Sequence, residues 1–291
     1  MSYDQKMFEL SDDLALTHET VARFREMLND SQALSRFLKE NERAVAFLSA
    51  LADGPGEWQE CLVEALCQPD VVFELAQAGK TEAVWSMISR LSSLERRLAV
   101  LKAPEVVFIL AKNGKADAVR RLLQEFPQTQ QRLSICRIPY AVFGMAKYGN
   151  TAKTLSLIRG FSDTSQQAIV LSASHVVYGL VDNLDASEKP SLLAMIQRCS
   201  KDQQADILAS DLAVLGLVKN GKIDHVLSWL RGFNQPQLDR VRNAAYVVPV
   251  LSENARPGDI AFFVKGLPKK REALSRKERM SVYRSGQRRL H

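Results

Sequence analysis

The sequence has little proline, little glycine and few aromatic residues: 10 prolines, 14 glycines and 7% aromatic residues in 291 positions. Proline and glycine are the strongest helix breakers, so their scarcity favours helix over strand. No apolar run reaches the roughly 18 residues that a membrane helix needs. The acidic start, MSYDQKMFELSDDL, lacks the basic-then-apolar pattern of a secretory signal. We therefore expect an all-α, cytoplasmic protein without a transmembrane segment.

Signatures of catalysis and of metal binding are also lacking. The histidines show no metal-binding spacing, and no glycine loop for phosphate is present. Asp224 and His225 could be combined with the distant Cys199 as a catalytic group, but a chance pairing across the sequence is the simpler interpretation. The four cysteines form no CxxC pair and lie in apolar patterns, which predicts buried, reduced thiols. We expect no enzyme, no cofactor and no metal site. The cysteines are Cys61, Cys67, Cys136 and Cys199.

The net charge of +6 is concentrated at one end of the chain. Residues 264–291 contain ten basic and two acidic residues, which leaves 29 basic and 31 acidic residues in 1–263. Such a basic tail could bind nucleic acid, an acidic membrane surface or an import receptor, and the alternative is a solvated terminus that aids solubility. Its candidate contacts are Lys269, Lys270, Arg271, Arg276, Lys277 and Arg279.

A repeat of about 35 residues is the strongest positive signal in the sequence. Copies begin PDVVFELAQAGK, PEVVFILAKNGK and PYAVFGMAKYGN at Pro69, Pro104 and Pro139, and less regular copies follow. A terminal repeat has one face without a neighbour, so solenoids usually carry divergent end copies. We predict a right-handed α-solenoid of helical repeats over 69–263, preceded by an N-terminal helical segment (1–30) and a divergent capping repeat (31–68), and followed by the tail (264–291).

Each repeat is predicted to contain three short helices. In the copy from Pro104, the first helix is expected to begin at that proline and to bury Val106, Val107, Leu110 and Ala111. The second helix is expected to carry an acidic residue in its first turn, where it suits the helix dipole, and to bury Val119, Leu122, Leu123 and Phe126. Glycines between the two helices predict left-handed helix ends. They are Gly79, Gly114, Gly149 and Gly221.

The repeat resembles several helical-repeat families. Over a whole unit it is most similar to Pumilio-type three-helix repeats, in which a helix like LLQEF is followed by a turn and a Gln- and Arg-rich third helix such as PQTQQRLSI. It is less similar to ankyrin, pentatricopeptide and transcription-activator-like effector repeats. Pumilio repeats bind RNA bases from the second helix. The corresponding positions here, such as Asp117, Ala118 and Arg121, do not match the side-chain combinations of that code.

Two surfaces are candidates for binding. A lysine edge at the turns between first and second helices could follow a phosphate backbone or an acidic partner, and solvated turn charges are the alternative. The second-helix face is expected to lie on a concave surface, where tryptophan and arginine are common anchors. Packing between repeats is the alternative for both tryptophans. The edge comprises Lys112, Lys115, Lys219 and Lys222, and the face comprises Trp85, Arg120, Arg121, Lys153, His225 and Trp229.

Two functional hypotheses follow. The first is a protein-interaction scaffold, which is favoured by the nearly neutral body and by the lack of a base-recognition code. The second is binding of nucleic acid, RNA before DNA, through the lysine edge and the basic tail. A continuous positive stripe along one face would favour nucleic acid, whereas a patchy face with an exposed Trp85 or Trp229 would favour protein.

Overall fold

A computed structural model describes residues 16–39, 41–210 and 212–265. All regular secondary structure in these ranges is helical, and no strand occurs among the residues described. The chain divides into two compact units, with the boundary along the sequence between Phe161 and Ser162. The all-α prediction is confirmed. The handedness of the solenoid, the repeat length and the four sequence segments stay predictions.

The helices of the first unit are α1 (His18–Met27), α2 (Ser31–Lys39), α3 (Asn41–Asp53), α4 (Gly56–Leu66), α5 (Pro69–Gln77), α6 (Thr81–Arg90), α7 (Leu94–Lys102), α8 (Val106–Leu110), α9 (Ala116–Glu125), α10 (Thr129–Cys136), α11 (Ala141–Tyr148) and α12 (Thr151–Arg159). Those of the second unit are α13 (Thr164–Leu171), α14 (Val176–Asn183), α15 (Lys189–Arg198), α16 (Lys201–Ala209), α17 (Ala213–Lys219), α18 (Ile223–Arg231), α19 (Gln235–Asn243), α20 (Val247–Asn254) and α21 (Pro257–Val264).

Equivalent helices of successive sequence copies pack against one another. In the first unit, α2, α5, α8 and α11 contact in that order, and so do α4, α7 and α10. In the second unit, α14, α17 and α20 form one such row, and α13, α16 and α19 form another. Helices of about ten residues are marginal alone, so these lateral contacts stabilise them. The arrangement is compatible with a helical-repeat protein.

The predicted core of the copy at Pro104 is confirmed. Val106 and Leu110 of α8 and the adjoining Ala111 are fully buried, and Val107 is 2% exposed. On α9, Val119 and Leu123 are likewise fully buried, and the rest of the predicted stripe is at most 4% exposed. The predicted acidic residues also lie in the first turns of second helices. They are Glu82, Asp117 and Asp224.

The predicted start of the first helix at Pro104 is wrong, because α8 begins at Val106. Glu105 intervenes in the left-handed region at φ 66°, and the amide of Val106 donates to the carbonyl of Pro104 at 2.9 Å. The same conformation precedes three other first helices, at Tyr140, His175 and Leu212. Only α5 begins at its proline, after an extended residue. None of the four left-handed residues is a glycine, so no sequence signal marked the turn.

Three of the four glycine predictions are confirmed. Gly79, Gly114 and Gly221 have φ values of 75°, 87° and 68°. The prediction for Gly149 is wrong, because this residue is extended, with φ −122° and ψ −156°. A Cβ on Gly149 would lie 2.6 Å from Cβ of Ala116 and 2.7 Å from the carbonyl oxygen of Met145. Close packing against the neighbouring helix, and not a left-handed turn, therefore requires glycine there.

Glutamines of the third helices cap the ends of the second helices. The side-chain amide of Gln59 donates to the carbonyl of Ala52 at 3.0 Å, and its oxygen accepts the backbone N–H of Ser92 at 3.0 Å. In the second unit, Gln204 is 1% exposed and donates to the carbonyls of Gln197 and Cys199. These bonds satisfy carbonyl groups that have no partner within a helix. Gln59 and Gln204 thus have a structural role in this chain.

The four cysteines are free thiols. Cys61, Cys136 and Cys199 are buried, as predicted, and Cys67 is half-buried. Burial raises the pKa of Cys61 to about 11 and that of Cys136 to about 12. The thiolate is the reactive form of cysteine, so these buried thiols are poor nucleophiles and poor metal ligands in the folded chain.

Candidate binding surfaces

The predicted lysine edge is interrupted by ion pairs in the first unit. Lys115 pairs with Glu82 of the preceding copy, and Lys80, at the equivalent turn one copy earlier, pairs with Glu42. The side chain of Lys115 is only 18% exposed, whereas that of its partner is 79% exposed. Lys112, three residues earlier, is exposed. A phosphate would therefore have to compete with carboxylates along this edge.

The edge differs in the second unit. Lys219 is exposed, and its amine lies 5.8 Å above the ring of Tyr178. Lys222 is half-buried at the start of α18 and makes no ion pair with another described residue. The four lysines of the predicted edge thus have four different environments, and they do not form one uniform row.

The predicted second-helix face is divided between core and solvent. In the first unit, Arg121 and Lys153 are exposed and Trp85 is half-buried. Arg120 is 8% exposed and donates to Asp117 at 3.1 Å on its own helix. Its guanidinium is thus already partnered and largely buried.

The second-helix residues of the second unit show the same division. His225 is exposed, and its ring contacts that of Trp229 edge-on at 6.1 Å. Trp229 is 2% exposed, and its indole N–H donates to the side chain of Gln197 on α15. Trp229 therefore packs between helices of the unit and offers no open ring to a partner. The hypothetical group of Asp224, His225 and Cys199 combines exposed residues of α18 with a thiol that is 5% exposed.

Sequence reasoning missed a cluster of four aromatic residues in the first unit, formed by Phe108, Tyr140, Phe143 and Tyr148. The rings of Phe108 and Phe143 stack at 6.2 Å with 16° between their planes. Tyr140 and Tyr148 each lie 5.9 Å from Phe108. The amine of Lys147 lies 5.6 Å from the ring centre of Phe143 and 5.2 Å from that of Tyr148. The regular spacing of the aromatic residues in the first helices was the signal available.

Glycine in the next helix makes room for the stacked ring. A Cβ on Gly144 would lie 3.2 Å from both Cα and Cδ2 of Phe108. The second unit repeats this arrangement, since a Cβ on Gly216 would lie 2.9 Å from Cα of Tyr178. An aromatic residue on one first helix thus packs over a glycine on the next.

Phe73 is the exception, with 45% of its surface exposed. It occupies the place of Phe108 one copy earlier. In the copy that follows Phe73, the residue equivalent to Gly144 is Ile109, which is 5% exposed. Its side chain takes the space that a glycine would leave open for the ring. Phe73 therefore stays at the surface. Among the residues that the structure describes, the other exposed large apolar residue is Ile169, on α13 of the second unit, also at 45%.

Positive charge accumulates around the aromatic cluster. Residues 126–161 contain five basic residues and no acidic residue. Of the five, Lys147 and Arg132 are half-buried and the others are exposed. Lysine near the C-terminal end of a helix is favoured by the helix dipole, which is a structural reason for Lys147. The exposed residues are Arg137, Lys153 and Arg159.

The described residues contain no group of three or more His, Cys, Asp or Glu side chains that could hold a metal. A pocket between α17 and α20, lined by residues such as Leu215 and Tyr246, has a volume of about 10 Å³, which is the space of one water molecule. No helix in the described part of the chain is long and apolar enough to cross a membrane. The predicted tail contacts at 269–279 lie outside the described residues.

Comparison of the chain with family models, curated proteins and solved structures found no match.

Proposed function

We propose that the protein is a non-enzymatic binding protein whose helical repeats hold another protein. The exposed ring of Phe73 carries this proposal. Large apolar side chains at the surface of a folded domain cost solvation free energy, and aromatic residues are over-represented among the anchors of protein interfaces. In this proposal the chain is a right-handed solenoid of three-helix units, and Phe73 belongs to its binding surface.

The charge pattern supports a protein partner over nucleic acid. Lys80 and Lys115 are paired with carboxylates of the preceding copy, so the turns do not present a continuous row of cations. Proteins that follow a phosphate backbone need several unpaired cations, because each phosphate contact releases counterions. Mixed charges that surround a partly exposed apolar patch are typical of protein interfaces.

Binding of nucleic acid, RNA before DNA, is the second candidate function. It rests on the basic tail, whose ten basic and two acidic residues would attract any polyanion, including acidic membrane surfaces. Deletion of 269–291 should then weaken the binding of a polyanion much more than it changes the melting temperature.

A pull-down with the full chain, with and without nuclease, tests the proposal. We expect protein partners to be retained after nuclease treatment and to be lost from the variant Phe73→Ser. The matched control is Ile169→Ser, which removes an equally exposed apolar side chain from the other unit and should keep the partners. Recovery only of nuclease-sensitive material, or equal recovery by all three proteins, contradicts the proposal. Circular dichroism of each variant checks that the fold is kept.

A further inference from the structure

The first helices of the first unit present aromatic rings and lysine amines together. We define the aromatic–lysine patch as the residues Phe73, Phe108, Tyr140, Tyr148, Lys112 and Lys147. They lie on α5, α8 and α11, which contact in succession, or on the residues that directly flank them. Lys112 follows Phe108 by four residues, and Lys147 follows Phe143 by four. Side chains at this spacing are neighbours on a helix surface.

The patch is accessible to solvent. Phe73 is 45% exposed and Lys112 is exposed, while Phe108, Tyr140, Lys147 and Tyr148 are half-buried. The buried member of the cluster, Phe143, supports the rings from below with 1% exposure. A rigid apolar floor with amines at its border favours a ligand that is both apolar and anionic.

The charges of the patch are arranged along the helices. Asp70 and Glu105 precede Phe73 and Phe108 by three residues, and the exposed Glu74 directly follows Phe73, so the carboxylates lie beside Phe73 and on the N-terminal side of Phe108. Lys112 and Lys147 lie one turn towards the C-terminal ends. On α11 the N-terminal position is Tyr140, without charge. The cationic border therefore lies towards the C-terminal ends of α8 and α11, and the charges of Lys112 and Lys147 attract a negatively charged ligand group.

The ring contacts favour a peptide over nucleic acid as the ligand. A nucleotide base binds an aromatic residue by stacking on an open ring face. Here Phe108 and Phe143 stack on each other, and Lys147 lies over the rings of Phe143 and Tyr148. Ring edges and the exposed Phe73 remain for contact with an apolar side chain. A carboxylate can approach Lys147 while its amine keeps its place over the rings.

We infer that the aromatic–lysine patch binds an acidic segment of a partner protein that carries at least one large apolar side chain. The apolar side chain packs against Phe73 and the edge of Phe108, and carboxylates of the segment pair with Lys112 and Lys147. The inference rests on the proposed function and adds to it the surface and the chemistry of the partner.

The test measures fluorescence anisotropy of the full chain with three labelled probes. The first is a synthetic peptide of about 16 residues built from Asp, Glu, Leu and Phe, a length that covers a typical peptide-binding groove. The second has serine in place of Leu and Phe. The third is a poly(U) RNA of similar length. We expect measurable binding of the first peptide only, and weaker binding at high salt, because the lysine contacts are screened.

Variants locate the site. Phe73→Ser and the double variant Lys112→Ala with Lys147→Ala should each weaken the first peptide about tenfold or more, as loss of an interface anchor does. The matched control removes two other exposed cations of the same unit, Arg23→Ala with Lys102→Ala, and should change affinity less than about twofold. Melting temperatures of all variants separate a loss of binding from a loss of fold.

The outcomes separate this inference from the proposed function. Equal binding of the serine peptide or tighter binding of poly(U) overturns the inference. Equal effects of the patch double variant and the control double variant overturn it as well. Absence of peptide binding overturns it too, even if the pull-down still yields protein partners that depend on Phe73. In that case the proposed function stands. Loss of every partner on nuclease treatment overturns the proposed function itself.

Discussion

Within each unit, the first helices pack in one row and the third helices in another. The polar contacts of the turns between first and second helices differ between the units. In the first unit, Lys115 reaches back to Glu82 as an exposed ion pair. In the second, the amine of Lys189 donates to the side-chain oxygen of Asn220 at 2.6 Å, at the equivalent turn. Apolar residues, glycines and buried amide contacts such as those of Gln59 and Gln204 recur in both units, whereas the contacts of the turn lysines do not. Burial and close approach therefore determine the architecture, and the exposed charges are free to vary.

The units differ again in how closely an aromatic residue approaches the next helix. A Cβ on Gly216 would lie 2.9 Å from Cα of Tyr178, whereas a Cβ on Gly144 would lie 3.2 Å from Cα of Phe108. The backbones of adjacent first helices are therefore closer in the second unit. At this contact the first unit is therefore expected to tolerate an added methyl group better than the second.

The largest effect is expected from Gly149→Ala in the first unit, compared with Gly221→Ala at the equivalent place in the second. The new Cβ at 149 meets Ala116 and a carbonyl oxygen, so we expect a loss of about 3 kcal/mol, the upper range for overpacking. Gly221→Ala meets no atom and should cost about 1–2 kcal/mol through its positive φ. Urea unfolding measures both. Asparagine should be milder than alanine at 221 and harsher at 149, and the reverse order would contradict this account.

A smaller effect is expected from Gly216→Ala. Its Cβ would lie 2.9 Å from backbone Cα of Tyr178, which costs about 1–3 kcal/mol, and helix propensity returns about 1 kcal/mol. We expect a net loss in unfolding free energy of about 0–2 kcal/mol. The control Gly144→Ala makes contacts no shorter than 3.2 Å and should be near neutral. If Gly144→Ala is the more damaging variant, the proposed difference between the units is wrong.

The thiols provide a pH-dependent test within the first unit. Burial raises the pKa of Cys136 to about 12 from an ordinary value of 9.0, so the folded state holds this proton more tightly than the unfolded state does. Stability from the neutral thiol is fully present below about pH 9 and is lost as the pH rises towards 12. The difference in unfolding free energy between wild type and Cys136→Ala should therefore shrink over this interval. A constant difference would contradict the burial of an un-ionised thiol.

The smallest effect is expected from Glu82→Gln, which removes the ion pair with Lys115. Exposed pairs contribute about 0.2–1 kcal/mol and are screened by salt, so the melting temperature should fall slightly at low salt and not at high salt. Asn220→Ala in the second unit removes a 3.0 Å donation to the carbonyl of Gly216 and the acceptor of the Lys189 amine, and because neither bond joins two opposite charges, its effect should depend less on salt. Equal salt dependence of the two variants would mean that the turns do not differ as described.

Sequence periodicity predicted the helices and their buried sides correctly, because burial acts on apolar residues at helical spacing. Val106, Val119 and Leu123 are examples. The same reasoning failed where tertiary contacts decide. Gly149 occupies the same place in its copy as the other turn glycines, although Asn150 follows it where lysine follows the other three, and its requirement for glycine lies in Ala116 of another helix. The left-handed Glu105 has no local signal at all.

The candidate binding residues were harder to predict than the fold. Trp229 and Arg120 are good interface residues by type, but a single sequence does not show which side of a short helix faces the next one. Phe73 and Phe108 belong to one repeating column of the sequence, and only the residue opposite, Ile109 or Gly144, decides whether the ring is exposed. That decision depends on the pairing of helices across copies.

The left-handed residues before the first helices offer a way to alter stability, and three of the four, all except Tyr140, lie outside the aromatic–lysine patch. Glu105, Tyr140, His175 and Leu212 all have side chains that disfavour positive φ. Glycine or asparagine at Glu105 would adopt this conformation at lower cost, as would the same residues at the other three positions. Consensus design of a repeat protein copies the most frequent residue at each repeat position. It would not introduce glycine or asparagine at these turns, because none of the four positions contains either residue.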